Sequence, residues 1–230
     1  MDDRSFLRSG AFAAVAGGIL ALAGNLLHPR YPNVDNVVMY PKIAKSQTFV
    51  IADLIIVVAL VLVIAGFVAL AQFAGGAFGR WGRDAALVGG AIALASTGVE
   101  MYGLRQQAIL FASAKGTNQV AAFWATDSIN HLNIGTFAIW TLVFLGIAPL
   151  CIGVASIGSK RFPAWLNAMA VLGGLICGVV GVAGLFLSDQ NPLNIPFLVG
   201  SLLVTLWVIF AGLQLFGKAA SSGLASAQPG

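Results

Sequence analysis

Charged side chains are scarce in this 230-residue chain, which has 12 lysines and arginines and 8 aspartates and glutamates. They make up 9% of the residues, against about 25% in an ordinary soluble domain, while 59% of the chain is hydrophobic. So few charges cannot cover the surface of a folded domain, and the composition therefore excludes a water-soluble monomer. The net charge of +4 is typical of basic loops beside a membrane and does not indicate nucleic-acid binding.

Cysteine and known catalytic motifs are also lacking. The two cysteines, Cys151 and Cys177, lie inside apolar runs, which excludes a disulfide scaffold and predicts small core residues. The chain contains no P-loop, GxSxG, HExxH or CxxC sequence. ATPase, serine-hydrolase, zinc-protease and thiol-redox chemistry therefore have no support in the sequence.

Long hydrophobic segments are abundant. A helix needs about 20 apolar residues to cross about 30 Å of hydrocarbon, and six segments have that length: about 10–27, 48–73, 85–110, 130–157, 165–187 and 195–216. None has the alternating pattern of a β-barrel strand. We predict an all-α, polytopic transmembrane helix bundle of six helices, forming one domain over residues 1–217, with a disordered tail over 218–230.

Basic residues predict the orientation of the bundle. Seven lie at the ends of helices on one side: Arg4, Arg8, Arg80, Arg83, Lys160, Arg161 and Lys218. The other side has five: Arg30, Lys42, Lys45, Arg105 and Lys115. The positive-inside rule then predicts a multi-pass protein of the cell membrane with both termini in the cytoplasm.

The connections and the glycines add three expectations. Pro29, Pro32 and Pro41 predict a turn-rich cap over 28–47 and not a helix, whereas 115–129 is compatible with a short interfacial helix. Pro149 predicts a kink in the fourth span. Stripes of small residues in several spans predict close helix packing and are compatible with a homo-oligomer.

Acidic residues are distributed unevenly between the two halves of the predicted spans. Five of the eight lie in the outer half, together with both histidines, His28 and His131; these acids are Asp35, Asp53, Glu100, Asp127 and Asp189. The inner halves are almost purely apolar. Asp53 and Glu100 fall inside the hydrocarbon, each about 8 Å from the outer helix end at 1.5 Å per residue. Such a group costs a few kcal/mol unless it pairs, is protonated or meets water, so each is either half of a structural pair, for example with Arg105, or functional.

Helix geometry predicts that polar residues of the first four spans converge on one cavity in the outer half. Asn25 and His28 continue the small-residue face of the first helix. Asp127 and His131 are four residues apart, and Glu100 and Gln107 are seven apart, so each pair is expected to share a helix face.

The first functional hypothesis is acid/base catalysis on a hydrophobic molecule, such as the cyclisation, isomerisation or hydration of an isoprenoid or lipid-like substrate. No cofactor is required, and the expected partners are the bilayer and the hydrophobic molecule. The expected catalytic residues are Asp53, Glu100, Asp127 and His131. The expected substrate-binding residues are Asn25, His28, Tyr102, Arg105, Gln107, Asn130 and Trp140.

Two other hypotheses remain open. His28 and His131 are the only histidines and lie on the same side, so they could ligate one haem, and Glu100 with Asp127 and His131 could hold a divalent metal. Alternatively the chain is a transporter, a small-molecule binder or an accessory subunit. Transport would need polar residues through both halves of the bundle.

Three short motifs resemble those of a family of uncharacterised bacterial six-helix membrane proteins of unknown function. These motifs are His28-Pro29 after the first helix, Asp53 early in the second, and the run Arg161 to Trp165 (RFPAW) before the fifth. Relatives often have a histidine early in the second helix, so Asp53 departs from that pattern. A weaker analogy links the chain to integral-membrane terpene cyclases, which also use carboxylic acids in a helical bundle but usually have seven helices.

Overall fold

The protein is a bundle of long helices. The structure, a computed structural model, describes residues 3–29, 34–187 and 191–224, and every regular element in these ranges is helical. The helices are α1 (Asp3–Leu27), α2 (Asn36–Lys45), α3 (Gln47–Ala74), α4 (Gly76–Ser113), α5 (Thr117–Ser159), α6 (Ala164–Phe186) and α7 (Asn194–Leu224), with a 3-10 turn at Asn191–Leu193. All except α2 are long and apolar enough to cross a membrane. The predicted six-span, all-α bundle is therefore confirmed.

The six spans form a closed ring in which each packs against the next. The order around the ring is α3, α1, α7, α6, α5 and α4, and α4 returns to α3. Bulky aromatic residues of three spans fill the centre: the ring of Phe67 lies 5.1 Å from that of Phe144 and 5.6 Å from that of Trp207. All three are buried. The core thus lies on the axis of the ring, and the outward faces carry exposed leucine, isoleucine and valine as a lipid-facing surface requires.

Small residues let the helices approach closely. A Cβ atom at Gly66 of α3 would lie 2.7 Å from the Cα of Ala14 in α1, and one at Gly17 would lie 2.8 Å from the backbone nitrogen of Val63. The stripe of small residues in α1 is therefore used against α3 of the same chain. Cys177 is buried in the core, as its apolar surroundings predict.

The beginning of α1 and the end of α7 lie at one end of the bundle, which we call the terminal end. Arg8 of α1 donates to the carbonyl of Ala219 in α7 at 3.3 Å. At the same end Arg161 donates to the carbonyl of Phe73 and Lys218 donates to the carbonyl of Arg161. We call the opposite end, which holds His28, the histidine end.

The connection between α1 and α3 corrects one prediction. Three prolines predicted a turn-rich cap over 28–47, but residues 36–45 form α2 with Pro41 inside it. Proline leaves the carbonyl of Val37 without its helical donor, and Val37 is exposed. Tyr40 and Ile43, in contrast, are buried in a cluster with Leu104 and Phe111. Packing of this face therefore outweighs the cost of the proline.

Several helices are longer than the hydrophobic pattern predicts. The helix α4 begins at Gly76, directly after a turn in which Gly75 and Gly76 have φ of 74° and 69°, so Arg80 and Arg83 are helical and not in a loop. The segment 117–129 is the first part of α5 and not a separate interfacial helix. The helix α7 continues through Leu224 into the predicted tail, while 225–230 lie outside the described residues, as do Arg30 and Asp189.

Two spans change their helical type in the middle. Residues Val99–Leu104 of α4 and Thr141–Ile147 of α5 are π-helical. The second segment ends two residues before Pro149, where a kink was predicted and where proline cannot supply a helical hydrogen bond. Each π-helical segment changes which residues of its helix face the bundle.

Candidate functional site

Three titratable side chains meet inside the bundle at the histidine end. The Nε2 atom of His28 lies 3.3 Å from Oδ1 of Asp53 and 3.6 Å from Oε1 of Glu100. One atom from each of the three residues lies within 4.8 Å of the other two. We call these residues the His28 cluster. Both intramembrane carboxylates thus share His28, and neither pairs with Arg105 as one sequence-based hypothesis proposed.

Local structure explains why these residues meet. His28 follows the last residue of α1 and continues its final turn, because its backbone N–H donates to the carbonyl of Gly24 at 2.9 Å. Gly24 also lets α1 approach α3, since a Cβ there would lie 2.7 Å from the side chain of Ile56. The ring of Phe49, in the first turn of α3, packs 5.1 Å from the imidazole of His28. Asp53 is one turn further along α3.

Asp53 is unusual because it is almost completely buried without a hydrogen bond. Its side chain is 1% exposed, and neither carboxylate oxygen has a hydrogen-bond partner among the described residues. Its nearest basic neighbour among the described residues is the imidazole of His28, whose Nε2 atom lies 3.3 Å from Oδ1. Buried polar groups in proteins are normally hydrogen-bonded, so an unpartnered carboxylate calls for an explanation.

The His28 cluster lies in the wall of a cavity of about 440 Å3. All six spans contribute to this wall, which is mostly apolar. Its polar and aromatic residues from α4 to α7 include Ser96, Thr97, Asn130, Asn133, Phe137, Trp140, Thr141, Asn194, Phe197, Ser201 and Thr205. The hydroxyl of Ser96 donates to Oδ1 of Asn133 at 2.9 Å, whereas the buried hydroxyl of Thr141 has no hydrogen-bond partner in the described structure. The volume lies within the usual range for small-molecule sites, about 300–1,000 Å3.

The aromatic centre of the bundle closes the cavity on the side that faces the terminal end. Phe144 lines the cavity and packs on Phe67, which in turn packs on Trp207. Each of these side chains is no more than 1% exposed. The cavity is therefore separated from the terminal end by a layer of packed rings.

Six of the predicted site residues line the cavity: Asn25, His28, Asp53, Glu100, Asn130 and Trp140. Three predicted substrate-binding residues of α4 do not, namely Tyr102, Arg105 and Gln107. Tyr102 is 70% exposed. Gln107 was expected to share a face with Glu100 but does not line the cavity with it, and the π-helical segment Val99–Leu104 lies between these two residues.

The predicted Asp127–His131 pair exists, but it does not line the cavity. The Nδ1 atom of His131 lies 3.4 Å from Oδ2 of Asp127 and 2.8 Å from its backbone oxygen, and the imidazole is 71% exposed. Asp127 accepts hydrogen bonds of 2.7 Å from the amide of Asn36 and from the hydroxyl of Tyr40. The expected convergence of this pair with Asp53 and Glu100 is therefore wrong: Asp127 anchors α2.

The surroundings of Tyr40 raise its pKa well above the ordinary value for a phenol. Burial of the ring is the largest cause, and the hydrogen bond and negative charge of Asp127 act in the same direction, opposed by Asn130. Tyr40 lies in α2, outside the spans. Its proton is therefore held firmly in the contact that joins α2 to α5.

The two histidines, which were considered together as haem ligands, have different partners. His28 contacts the carboxylates of α3 and α4 inside the bundle, whereas His131 contacts Asp127 of its own helix and faces outward. Likewise, Glu100, Asp127 and His131, which were considered as ligands of a divalent metal, do not come together in the structure. The acid–histidine cluster that it does assemble contains His28, Asp53 and Glu100.

Sequence reasoning missed several cavity residues, of which Asn133 and Phe137 are the most informative. Asn130, Asn133, Phe137 and Trp140 recur at intervals of three and four residues, which is the spacing of one helix face. All four line the cavity. The spacing was available in the sequence, but the pattern mixes amides with aromatic rings and so resembles an ordinary packing face.

Comparisons with known proteins complete the description of the chain. No curated protein and no solved structure matches it, and the analogy to terpene cyclases has no support. The resemblance to an uncharacterised membrane family is confirmed, because one family model spans most of the chain. The chain belongs to the family described as Domain of unknown function (DUF4386), whose model matches residues 11–212.

Proposed function

We propose that this protein is a membrane-embedded enzyme that carries out acid/base chemistry on a hydrophobic small molecule. One observation carries the proposal: the His28 cluster lies in the wall of a largely apolar cavity of about 440 Å3. An apolar cavity binds a hydrophobic body, and two carboxyl groups around one imidazole supply a proton donor and a proton acceptor.

The arrangement suggests a role for each group. Glu100 is 29% exposed and His28 22% exposed on their side chains, so either can exchange a proton with the cavity, whereas the side chain of Asp53 is only 1% exposed. In its protonated form Glu100 donates a proton to a substrate double bond. Asp53 holds His28 in position to accept the proton that leaves the substrate later. Isomerisation or cyclisation by this route takes up one proton and releases one, and it needs no redox partner.

Aromatic residues of the cavity wall support a cationic intermediate. The ring of Phe137 lies 5.1 Å from that of Trp140 and 4.9 Å from that of Phe197, and all three line the cavity. Aromatic faces attract cations, and they do so more strongly where water is excluded. Protonation of a double bond creates a positive charge on carbon that these rings can stabilise.

Two features support catalysis or binding over transport. The layer formed by Phe67, Phe144 and Trp207 closes the cavity on the side that faces the terminal end. The spans beyond this layer carry few polar residues, whereas an ion or polar solute needs a polar route. A transporter remains the second candidate, and it would accumulate its substrate in proteoliposomes.

The charge distribution supports a multi-pass protein of the cell membrane with its termini in the cytoplasm. Seven of the 12 basic residues belong to the terminal end. With that orientation the positive-inside rule is satisfied, and the His28 cluster lies in the outer half of the bilayer.

Native mass spectrometry of the purified protein, released from a mild detergent, would identify the molecule that occupies the cavity. Turnover of that molecule is then compared for the wild type, Glu100→Gln and Asp53→Asn. We expect each variant to lose about 10²–10⁴-fold in rate, the usual contribution of a positioned acid or base. His131→Gln is the matched control, because this histidine lies outside the cavity and should leave the rate unchanged. Full activity of both carboxamide variants would refute the proposal.

A further inference from the structure

The His28 cluster has the dimensions of a metal site. Zinc binds imidazole nitrogen and carboxylate oxygen at about 2.0–2.1 Å in a tetrahedral arrangement, so two ligand atoms are separated by about 3.3–3.4 Å. The Nε2 atom of His28 lies 3.3 Å from Oδ1 of Asp53 and 3.6 Å from Oε1 of Glu100. The three ligand atoms lie within 4.8 Å of one another. Two edges of a tetrahedron are therefore already in place, and closing the third requires only a small movement.

The charges of the cluster favour the same ligand. Two carboxylates inside a hydrocarbon slab are expensive, and protonation of His28 could balance only one of them. Arg105, five residues after Glu100, does not line the cavity. A divalent cation bound to two carboxylates and a neutral imidazole makes a site of zero net charge.

A second and independent observation comes from Asp53. It is 1% exposed, lines the cavity, and has two carboxylate oxygens without a hydrogen-bond partner among the described residues. By contrast, Asp127, another acid of this half, accepts hydrogen bonds from the amide of Asn36 and the hydroxyl of Tyr40. A bound cation would satisfy the carboxylate oxygens of Asp53, which accept no such hydrogen bond.

We propose that Nε2 of His28 and one carboxylate oxygen each from Asp53 and Glu100 bind one divalent cation of the zinc class. The inference rests on the proposed function, because it assigns a cofactor to the same cavity. It replaces the proton-transfer roles given there to Glu100 and His28, because both side chains would be ligands of the cation. Three protein ligands leave one coordination position for water or for a substrate oxygen, as in catalytic zinc sites. The cation polarises that oxygen, so the proton donor becomes cation-bound water in place of the free carboxylic acid.

The test uses the full-length protein, purified in detergent, stripped with EDTA and then dialysed against zinc chloride or cobalt(II) chloride. We expect about one zinc per chain by inductively coupled plasma mass spectrometry, and the visible absorption bands of four-coordinate cobalt(II). His28→Ala, Asp53→Asn and Glu100→Gln should each lower zinc affinity by on the order of 100-fold or more, since even changes outside the ligand set cost about 10–100-fold. His131→Ala is the matched control and should bind zinc like the wild type.

Each outcome decides the inference. It is overturned if the wild type binds no zinc, if the three ligand variants bind as the wild type does, or if only His131→Ala loses the metal. Size-exclusion elution and helical circular dichroism identify a variant that fails to fold, and the wild-type stoichiometry and cobalt spectrum test the site without any variant. Because no substrate is used, a negative result leaves the proposed acid/base function on the free carboxylic acids. Stoichiometric zinc without any bound hydrophobic molecule would instead refute the proposed function and keep the metal site.

Discussion

Replacing Asp53 by leucine should stabilise the protein in the absence of metal. The carboxylate is 1% exposed and its oxygens have no hydrogen-bond partner in the described structure. A buried polar group left unsatisfied costs about 1–3 kcal/mol, and more when it is charged. The cavity beside Asp53 has room for the larger leucine side chain. We therefore expect Asp53→Leu to gain about 1–3 kcal/mol in free energy of unfolding.

Asp127→Leu is the matched control because the same substitution should have the opposite effect there. Asp127 accepts two hydrogen bonds of 2.7 Å, from Asn36 and Tyr40. A hydrogen bond to a charged group contributes about 1.5–3 kcal/mol, and its loss leaves the donor unsatisfied. Since 1 kcal/mol moves the melting temperature of a chain this long by about 2–4 °C, Asp53→Leu should melt about 2–12 °C higher. Asp127→Leu should melt about 6 °C lower or more.

The assay is thermal unfolding followed by tryptophan fluorescence in one detergent, with EDTA present so that no divalent cation contributes. The protein has five tryptophans, one of them in the buried centre of the bundle. If Asp53→Leu melts as far below the wild type as Asp127→Leu does, then Asp53 stabilises the fold through His28. In that case the argument that its buried carboxylate destabilises the fold is wrong.

Two further predictions concern packing and pH. Gly89→Ala should lower the free energy of unfolding by about 1–3 kcal/mol, because the new Cβ would lie 2.6 Å from the backbone nitrogen of Phe144. In the control Gly135→Ala the new Cβ would have nothing within 4 Å, so helix propensity should raise the free energy of unfolding by up to about 1 kcal/mol. Melting temperatures that move equally in the two variants would contradict this. The raised pKa of Tyr40 means that the unfolded chain loses this proton first, from about pH 10. The stability advantage of the wild type over Tyr40→Phe should therefore be complete below about pH 10 and shrink above it. Melting of both proteins between about pH 8.5 and about pH 11 measures this advantage. Parallel curves would count against the contact with Asp127.

The spans and the depth of the intramembrane acids follow from the sequence for simple physical reasons. Hydrocarbon thickness sets the length of a spanning helix, and charge is so costly there that Asp53 and Glu100 are conspicuous among apolar neighbours. Their meeting with His28 follows from three residues at similar depth on adjacent helices. This part of the site depends on composition along the chain, which a sequence displays directly.

The rest of the site depends on packing that the sequence does not display. The helix α2 forms despite Pro41 because Tyr40 and Ile43 are buried against α4. Tyr40 also donates a hydrogen bond to Asp127, which does not line the cavity. No spacing rule in the sequence reveals this contact. The seven-residue rule that placed Gln107 beside Glu100 assumes an uninterrupted α-helix, whereas a π-helical segment lies between these two residues.

The π-helical segment that carries Glu100 has a consequence for comparing this chain with its relatives. A single-turn π-helical segment behaves as one residue inserted into an α-helix, and at 3.6 residues per turn one residue corresponds to a rotation of about 100°. A relative that is one residue shorter within Val99–Leu104 would present a different side of its next nine residues to α2. Such a relative would show a one-residue gap at that place in an alignment, and the gap would separate members that keep the α2 contact from members that do not.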